Sequence, residues 1–195
     1  GQHPGITGAI PSELGLLANA QHFDVGKNPS MTGGIPSELG LLASVQNLYL
    51  NQNPSITGGI PSELGNLGWR LETLLLSENT GITGKIPTEL GNLGSLSAFD
   101  MAQNTGITGE IPSELGNLAA VRGFKLSQNP GITGFIPTEL GWLPNAEVFE
   151  VHTNPGITGS IPSELGRLWI VMTLLLNGNT GITGSIPSEL GSLKK

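Results

Sequence analysis

The chain has 195 residues, no cysteine and a formal net charge of −7, from eight Lys and Arg against fifteen Asp and Glu. Scattered basic residues do not make the basic stripe that neutralises phosphates, so nucleic acid is not expected as a partner. No apolar run reaches the length of a membrane span, and the lack of cysteine excludes disulfides and thiolate metal sites.

One phrase recurs eight times, as in NPGITGFIPTELGWL over 129–143. A period between 20 and 50 residues predicts a solenoid in which each copy is one coil stacked on its neighbours. His3 marks the first copy, and asparagine marks the others at intervals of 25 residues with one interval of 26: Asn28, Asn53, Asn79, Asn104, Asn129, Asn154 and Asn179. The extra residue near Trp69 and Arg70 is expected in a connecting segment.

The first recurrent feature along each copy is a Thr-Gly pair. Its glycine indicates a backbone shape or a close approach that a Cβ would spoil. Its threonines form a file at strand spacing: Thr7, Thr32, Thr57, Thr83, Thr108, Thr133, Thr158 and Thr183.

A short helix is predicted next. Pro11 and its equivalents suit the first helical position, where the missing N–H is not needed. Glutamate falls in the first turn of every copy, where it complements the helix dipole. The column is Glu13, Glu38, Glu63, Glu89, Glu114, Glu139, Glu164 and Glu189, which accounts for eight of the fifteen acidic residues. The acidity is therefore interpreted as structural, the alternative being a diffuse ladder for divalent cations.

A strand then precedes each asparagine. The alternation of Phe23 with Val25, or of Phe149 with Val151, is the period-two pattern of a strand with one face inward. In the second copy seven inward positions are predicted: Met31, Ile35, Leu39, Leu42, Val45, Leu48 and Leu50. The asparagines are expected to satisfy backbone groups of stacked copies, and the Pro-Gly that often follows them predicts a turn.

The series Val45, Leu48, Leu50 and Asn53 spells LxxLxLxxN, and the continuation through Ile-Thr-Gly-x-Ile-Pro resembles plant-type leucine-rich repeats. Each repeat has one additional residue between Asn and Ile, and in this respect it resembles the 25-residue repeats of algae. The resemblance covers 1–195 as a single domain of about eight repeats. It implies an α/β solenoid, a right-handed superhelix with a parallel β-sheet on the concave side, a second smaller sheet, and short 3-10 or α helices on the convex side.

The chain begins and ends within a repeat and lacks the paired cysteines that cap plant-type receptors. We therefore expect a fragment of a longer chain, with its terminal repeats covered by missing sequence or by a partner subunit.

No constellation predicts catalysis. His3, His22 and His152 fall in different copies, and the neighbours Asp24 and Glu150 make only half of a catalytic pair. No activated serine or phosphate-cradling loop is evident. We predict no enzyme, no cofactor and no metal.

Two surfaces are candidates for recognition, because there the copies differ from one another. The first is the central outward column of the concave face, with Tyr49, Leu75, Asp100, Lys125, Glu150 and Leu175. The charges of Asp100, Lys125 and Glu150 are also interpretable as a structural ladder of cross-strand pairs, which the pair of Arg122 with Glu147 would extend. The second is an apolar patch of Phe135, Trp142, Trp169 and Ile170, which either docks a partner or folds over the helices as local core.

Three functions follow. The leading prediction is a noncatalytic extracellular or lumenal interaction module that presents a rigid curved surface to a protein or a glycan. Ice binding by the threonine file is the first alternative, although the neighbouring outward positions include charges and the Phe135 ring. The second alternative is a scaffold subunit of a larger assembly.

Overall fold

The computed structural model describes residues 5–193 as stacked coils. Seven three-residue strands form one parallel sheet in which sequence neighbours are spatial neighbours. The strands of this main sheet are His22–Asp24, Asn47–Tyr49, Thr73–Leu75, Ala98–Asp100, Gly123–Lys125, Val148–Glu150 and Thr173–Leu175. Consecutive strands pair without any register shift, so each position of the repeat forms a straight column across the sheet.

The core is one continuous apolar interior. The central residue of each strand points inward, and all seven inward positions predicted for the second copy are buried, from Met31 to Leu50. Phe99, Phe124 and Phe149 occupy the same column and stack with ring centroids 5.3 Å apart. Removing this apolar surface from water is the main contribution that holds the coils together.

A ladder of asparagines closes each coil after its strand. Asn53 donates its backbone N–H to Oδ1 of Asn79 at 2.7 Å, and its Nδ2 donates to the carbonyls of Val25 and Leu50. The same bonds recur along the column, so the asparagines satisfy the backbone of two coils, as the sequence predicts.

The turn after the asparagine forms as predicted, with Ile56 donating to the Asn53 carbonyl at 3.0 Å. Its glycines do not take positive φ. A Cβ at Gly81 would instead meet the carbonyl oxygens of Pro54 and Ile56 in the preceding coil. Close packing therefore explains the glycine here.

In the described part of the chain, eight 3-10 helices follow one another on the side away from the main sheet. They are Ser12–Leu16, Ser37–Leu41, Ser62–Arg70, Thr88–Asn92, Ser113–Asn117, Thr138–Trp142, Ser163–Arg167 and Ser188–Ser192. The predicted position of the proline is wrong by one residue. Pro11 is the N-cap, with ψ of 136°, and its carbonyl accepts the Leu14 N–H. None of the described helices is long and apolar enough to cross a membrane.

The second sheet is fragmentary. Single parallel bridges, such as the one between Gly58 and Ile82, link its short strand pairs. The strands are Thr83–Gly84, Gly106–Ile107, Gly109–Glu110, Ile132–Thr133, Thr158–Gly159 and Gly181–Ile182. The glycine after each threonine has φ between 76 and 84°, which confirms the predicted backbone shape. Without a Cβ, glycine adopts this conformation at no steric cost.

The extra residue lies between the first helical turn of the coil and the next strand, as predicted, in a short segment that follows a kink. The helix Ser62–Arg70 is nine residues long and contains Gly68 in a non-helical conformation with φ of 54°. The Trp69 side chain projects to the surface there, and its ring lies against Gly94 of the next coil. The insertion is thus absorbed on the surface, and the strand Thr73–Leu75 keeps its register.

Candidate binding surfaces

The central column of the concave face is continuous. Tyr49 pairs with Leu75, which pairs with Asp100, and the column continues through Lys125, Glu150 and Leu175. Tyr49 and Leu75 are half-buried, and Leu175 is exposed. The structure therefore gathers all six predicted residues into one row about 4.8 Å apart.

Charges on this face form two of the predicted cross-strand pairs. Lys125 lies 3.6 Å from Glu150, and Arg122 lies 3.1 Å from Glu147. Asp100 instead accepts the Ala102 N–H at 3.0 Å. Ion pairs that keep contact with solvent, as these two do, contribute about 0–1 kcal/mol, so a partner can compete for them at small cost.

The histidines do not pair with the carboxylates beside them. Nδ1 of His22 lies 2.9 Å from Nδ2 of Asn47, and Nδ1 of His152 lies 2.9 Å from Oγ1 of Thr153. His3 lies outside the described residues. Within 5–193, no three His, Asp or Glu side chains converge in a way that could hold a metal ion.

The four residues of the apolar patch are all exposed, from 47% for Ile170 to 69% for Trp169. They do not line a common hollow. Phe135 lies over Gly159 beside the second sheet, whereas Trp169 borders a hollow with Arg167 and Glu189 on the helical side.

The threonine file is exposed along its whole length. Thr57, Thr158 and Thr183 each donate Oγ1–H to a glycine carbonyl of the preceding coil. Lys85, Glu110 and Phe135 are also exposed and interrupt the neighbouring column.

A groove beside the main sheet was not predicted. It has a volume of about 860 Å³ and runs along six coils where the chain leaves the strands. One wall consists of the residues that precede the asparagines: Lys27, Gln52, Glu78, Gln103, Gln128 and Thr153. The other wall consists of the residues that follow the asparagines: Pro29, Pro54, Thr80, Thr105, Pro130 and Pro155. We call this feature the edge groove.

All six residues of the first wall have left-handed backbones, with φ between 58 and 62°. This conformation costs a non-glycine residue roughly 1–2 kcal/mol. Lysine, glutamine and glutamate have no marked preference for it, so these residue types do not reveal the row. The available signal was the recurrence of a polar residue directly before six of the seven asparagines.

Stacked coils, one main parallel sheet, an asparagine ladder and helices on the opposite side together define a leucine-rich repeat solenoid. Comparison of the sequence with protein-family models and with curated proteins finds no match. Among solved structures, a plant peptide hormone receptor, RGFR1 in complex with RGF2, matches with a TM-score of 0.90 and 38% identity, over 97% of this chain and 29% of that chain.

Two further structures come from Arabidopsis. The leucine-rich repeat ectodomain of the receptor kinase GASSHO1/SCHENGEN3, in complex with Casparian strip integrity factor 2, matches with a TM-score of 0.89 and 36% identity, over 97% of this chain and 22% of its own. The HAESA ectodomain with an extended IDA peptide hormone matches with a TM-score of 0.83 and 28% identity, over 97% and 31%. The chain thus spans less than a third of each, and the predicted leucine-rich repeat fold is confirmed.

Proposed function

We propose that this chain is a noncatalytic interaction module that binds a peptide or a segment of a protein on the concave face of its main sheet. The module acts outside the cell or in the lumen of an organelle. Glycan binding on the same face is the alternative ligand class.

The observation that carries this proposal is the row of unlike side chains that a uniform scaffold holds on its concave face. The buried columns repeat nearly the same residues in every coil, whereas the central outward column contains Tyr49, Lys125 and Glu150 among other unlike side chains. Uniform positions satisfy packing, and unlike positions on a rigid support are free to recognise a partner. Tyrosine and charged side chains in one row are suited to that role.

The solved structures support a peptide ligand. Three of the receptors with this fold are described in complex with RGF2, Casparian strip integrity factor 2 or the IDA peptide hormone. Those descriptions concern the longer receptors, and their use for this chain is part of the proposal.

The test is selection of a displayed library of random octapeptides on the immobilised chain, followed by affinity measurements with the enriched peptides. Tyr49→Ala or Lys125→Glu should weaken binding at least about tenfold, which corresponds to about 1.4 kcal/mol. Lys85→Glu is the matched control, because it makes the same charge change on an exposed residue beside the second sheet.

A library that yields no binder above background would reject the proposed function. If enriched peptides tolerate both concave-face changes but lose affinity with Trp169→Ala, the apolar patch is the binding surface. The same preparations separate the other functions, since ice binding requires thermal hysteresis that Thr108→Glu abolishes, and a scaffold subunit requires a stable assembly with a partner protein.

A further inference from the structure

The edge groove has no structural need for long side chains. Gly178 fills the wall position in the seventh copy with φ of 74°, and glycine adopts this region freely. The chain also places glycine at all eight Thr-Gly positions, where φ is positive. Yet six coils carry side chains at a backbone position that penalises them, and strain retained at a surface groove indicates a role in binding.

The bottom of the groove cannot supply recognition. Each asparagine between the two walls uses its hydrogen-bonding groups within the ladder, as Asn104 does with Asn129, Leu76 and Met101. A ligand must therefore be recognised by the walls, where proline rings and threonines lie opposite glutamine, glutamate and lysine side chains.

The charges of the walls are few and opposite. Lys27 stands in the first coil and Glu78 in the third, about 10 Å apart at the usual strand spacing. Glu78 Oε1 accepts a hydrogen bond from Gln52 Nε2 at 2.8 Å, which orients the carboxylate. The remaining lining residues are uncharged. A ligand that matches this pattern carries an acidic and a basic group at that separation, followed by a neutral stretch.

An extended polypeptide meets these requirements. At about 3.3 Å per residue, three residues span the distance from Lys27 to Glu78, and about seven span the groove of roughly 24 Å. Proline and threonine offer apolar contact to its side chains, and the amides of Gln103 and Gln128 can both donate to and accept from its backbone.

We propose that the edge groove binds an extended peptide segment of about seven residues, with an acidic residue at Lys27, a basic residue three positions away at Glu78, and uncharged residues beyond. This inference rests on the proposed peptide-binding function. In this proposal the backbone of the bound peptide lies in the edge groove, beside the main sheet.

The peptides enriched on the unchanged chain test the proposal directly. They should share an acidic and a basic residue three positions apart, with uncharged residues on the basic side. Lys27→Glu or Glu78→Lys should each weaken their binding at least about tenfold. The double variant should prefer the peptide with its two charges exchanged, a reversal that loss of folding cannot produce.

Matched controls change the same charges elsewhere. Lys85→Glu and Glu114→Lys alter exposed residues outside the edge groove and should leave affinity within about twofold. If enriched peptides ignore Lys27→Glu and Glu78→Lys but respond to Tyr49→Ala, the edge groove is not the site while the proposed function holds. If no peptide binds at all, both fail.

Discussion

At the scale of single residues, the helical glycines set how closely the coils approach. A Cβ at Gly116 would overlap the carbonyl oxygen of Glu139 in the next coil, and Gly141 stands in the same relation to Glu164. Successive helices therefore stack with backbone against backbone. The sequence shows this glycine in every Ser-Glu-Leu-Gly or Thr-Glu-Leu-Gly run, but only the stacking of the coils explains it.

Gly116→Ala should lower the free energy of unfolding by about 1–3 kcal/mol, because overpacking forces the Glu139 backbone to move. Urea unfolding followed by circular dichroism measures the change. Gly123→Ala is the control, since a Cβ at Gly123 meets no atom within 4 Å, and its stability should be equal or slightly higher. An unchanged stability for Gly116→Ala would contradict the close stacking of the helices.

At the scale of elements, the coil is the unit of structure. Each strand pairs only with the strands of adjacent coils, and each helix packs chiefly against the helices before and after it. The energy of such an array is a sum of coil and neighbour terms. Coils with the same buried columns should therefore be interchangeable.

Deletion of residues 104–128 removes one whole coil and should leave a folded protein. The strand Ala98–Asp100 would then pair with Val148–Glu150, and Phe99 would stack on Phe149. We expect retained parallel-sheet circular dichroism with a smaller denaturant slope, because less surface is exposed on unfolding.

Deletion of Gly123 alone should be more damaging than loss of the 25 residues. A shift of one position within a strand moves Phe124 from the core to the concave face. If the one-residue deletion proved the more stable of the two variants, the account of interchangeable coils would be wrong.

The features of this fold that can be predicted from the sequence are those that recur in every repeat. Leu48 and Leu50 can be predicted to be buried because their spacing repeats. The hydrogen bonds of the asparagines can be predicted because a buried amide that recurs in stacked coils must find partners. The kink at Gly68 occurs once, so no period reveals it. Gln103 and Glu78 take a left-handed backbone at the point where the chain leaves the strand. Neither residue type prefers that conformation, so the sequence does not predict it.

At the scale of the whole molecule, the two proposed binding features are neighbours. Ser77, Ala102 and Ser127 lie along the chain between the central column of the concave face and the edge groove; their side chains are small, and Ala102 and Ser127 are buried. A peptide in the groove can therefore extend a large side chain across this low strip toward Lys125 or Glu150. Mutations of either surface should then affect the same ligand to different degrees.

All three tryptophans lie on the outside of the solenoid, with exposed fractions of 76% for Trp69, 56% for Trp142 and 69% for Trp169. Intrinsic fluorescence should consequently resemble that of free tryptophan in the native protein and shift little during denaturation. The wavelength of maximum tryptophan emission is therefore a poor measure of folding in this chain. The same wavelength reports binding instead, because a blue shift on adding a partner would mean that the partner had buried an indole ring.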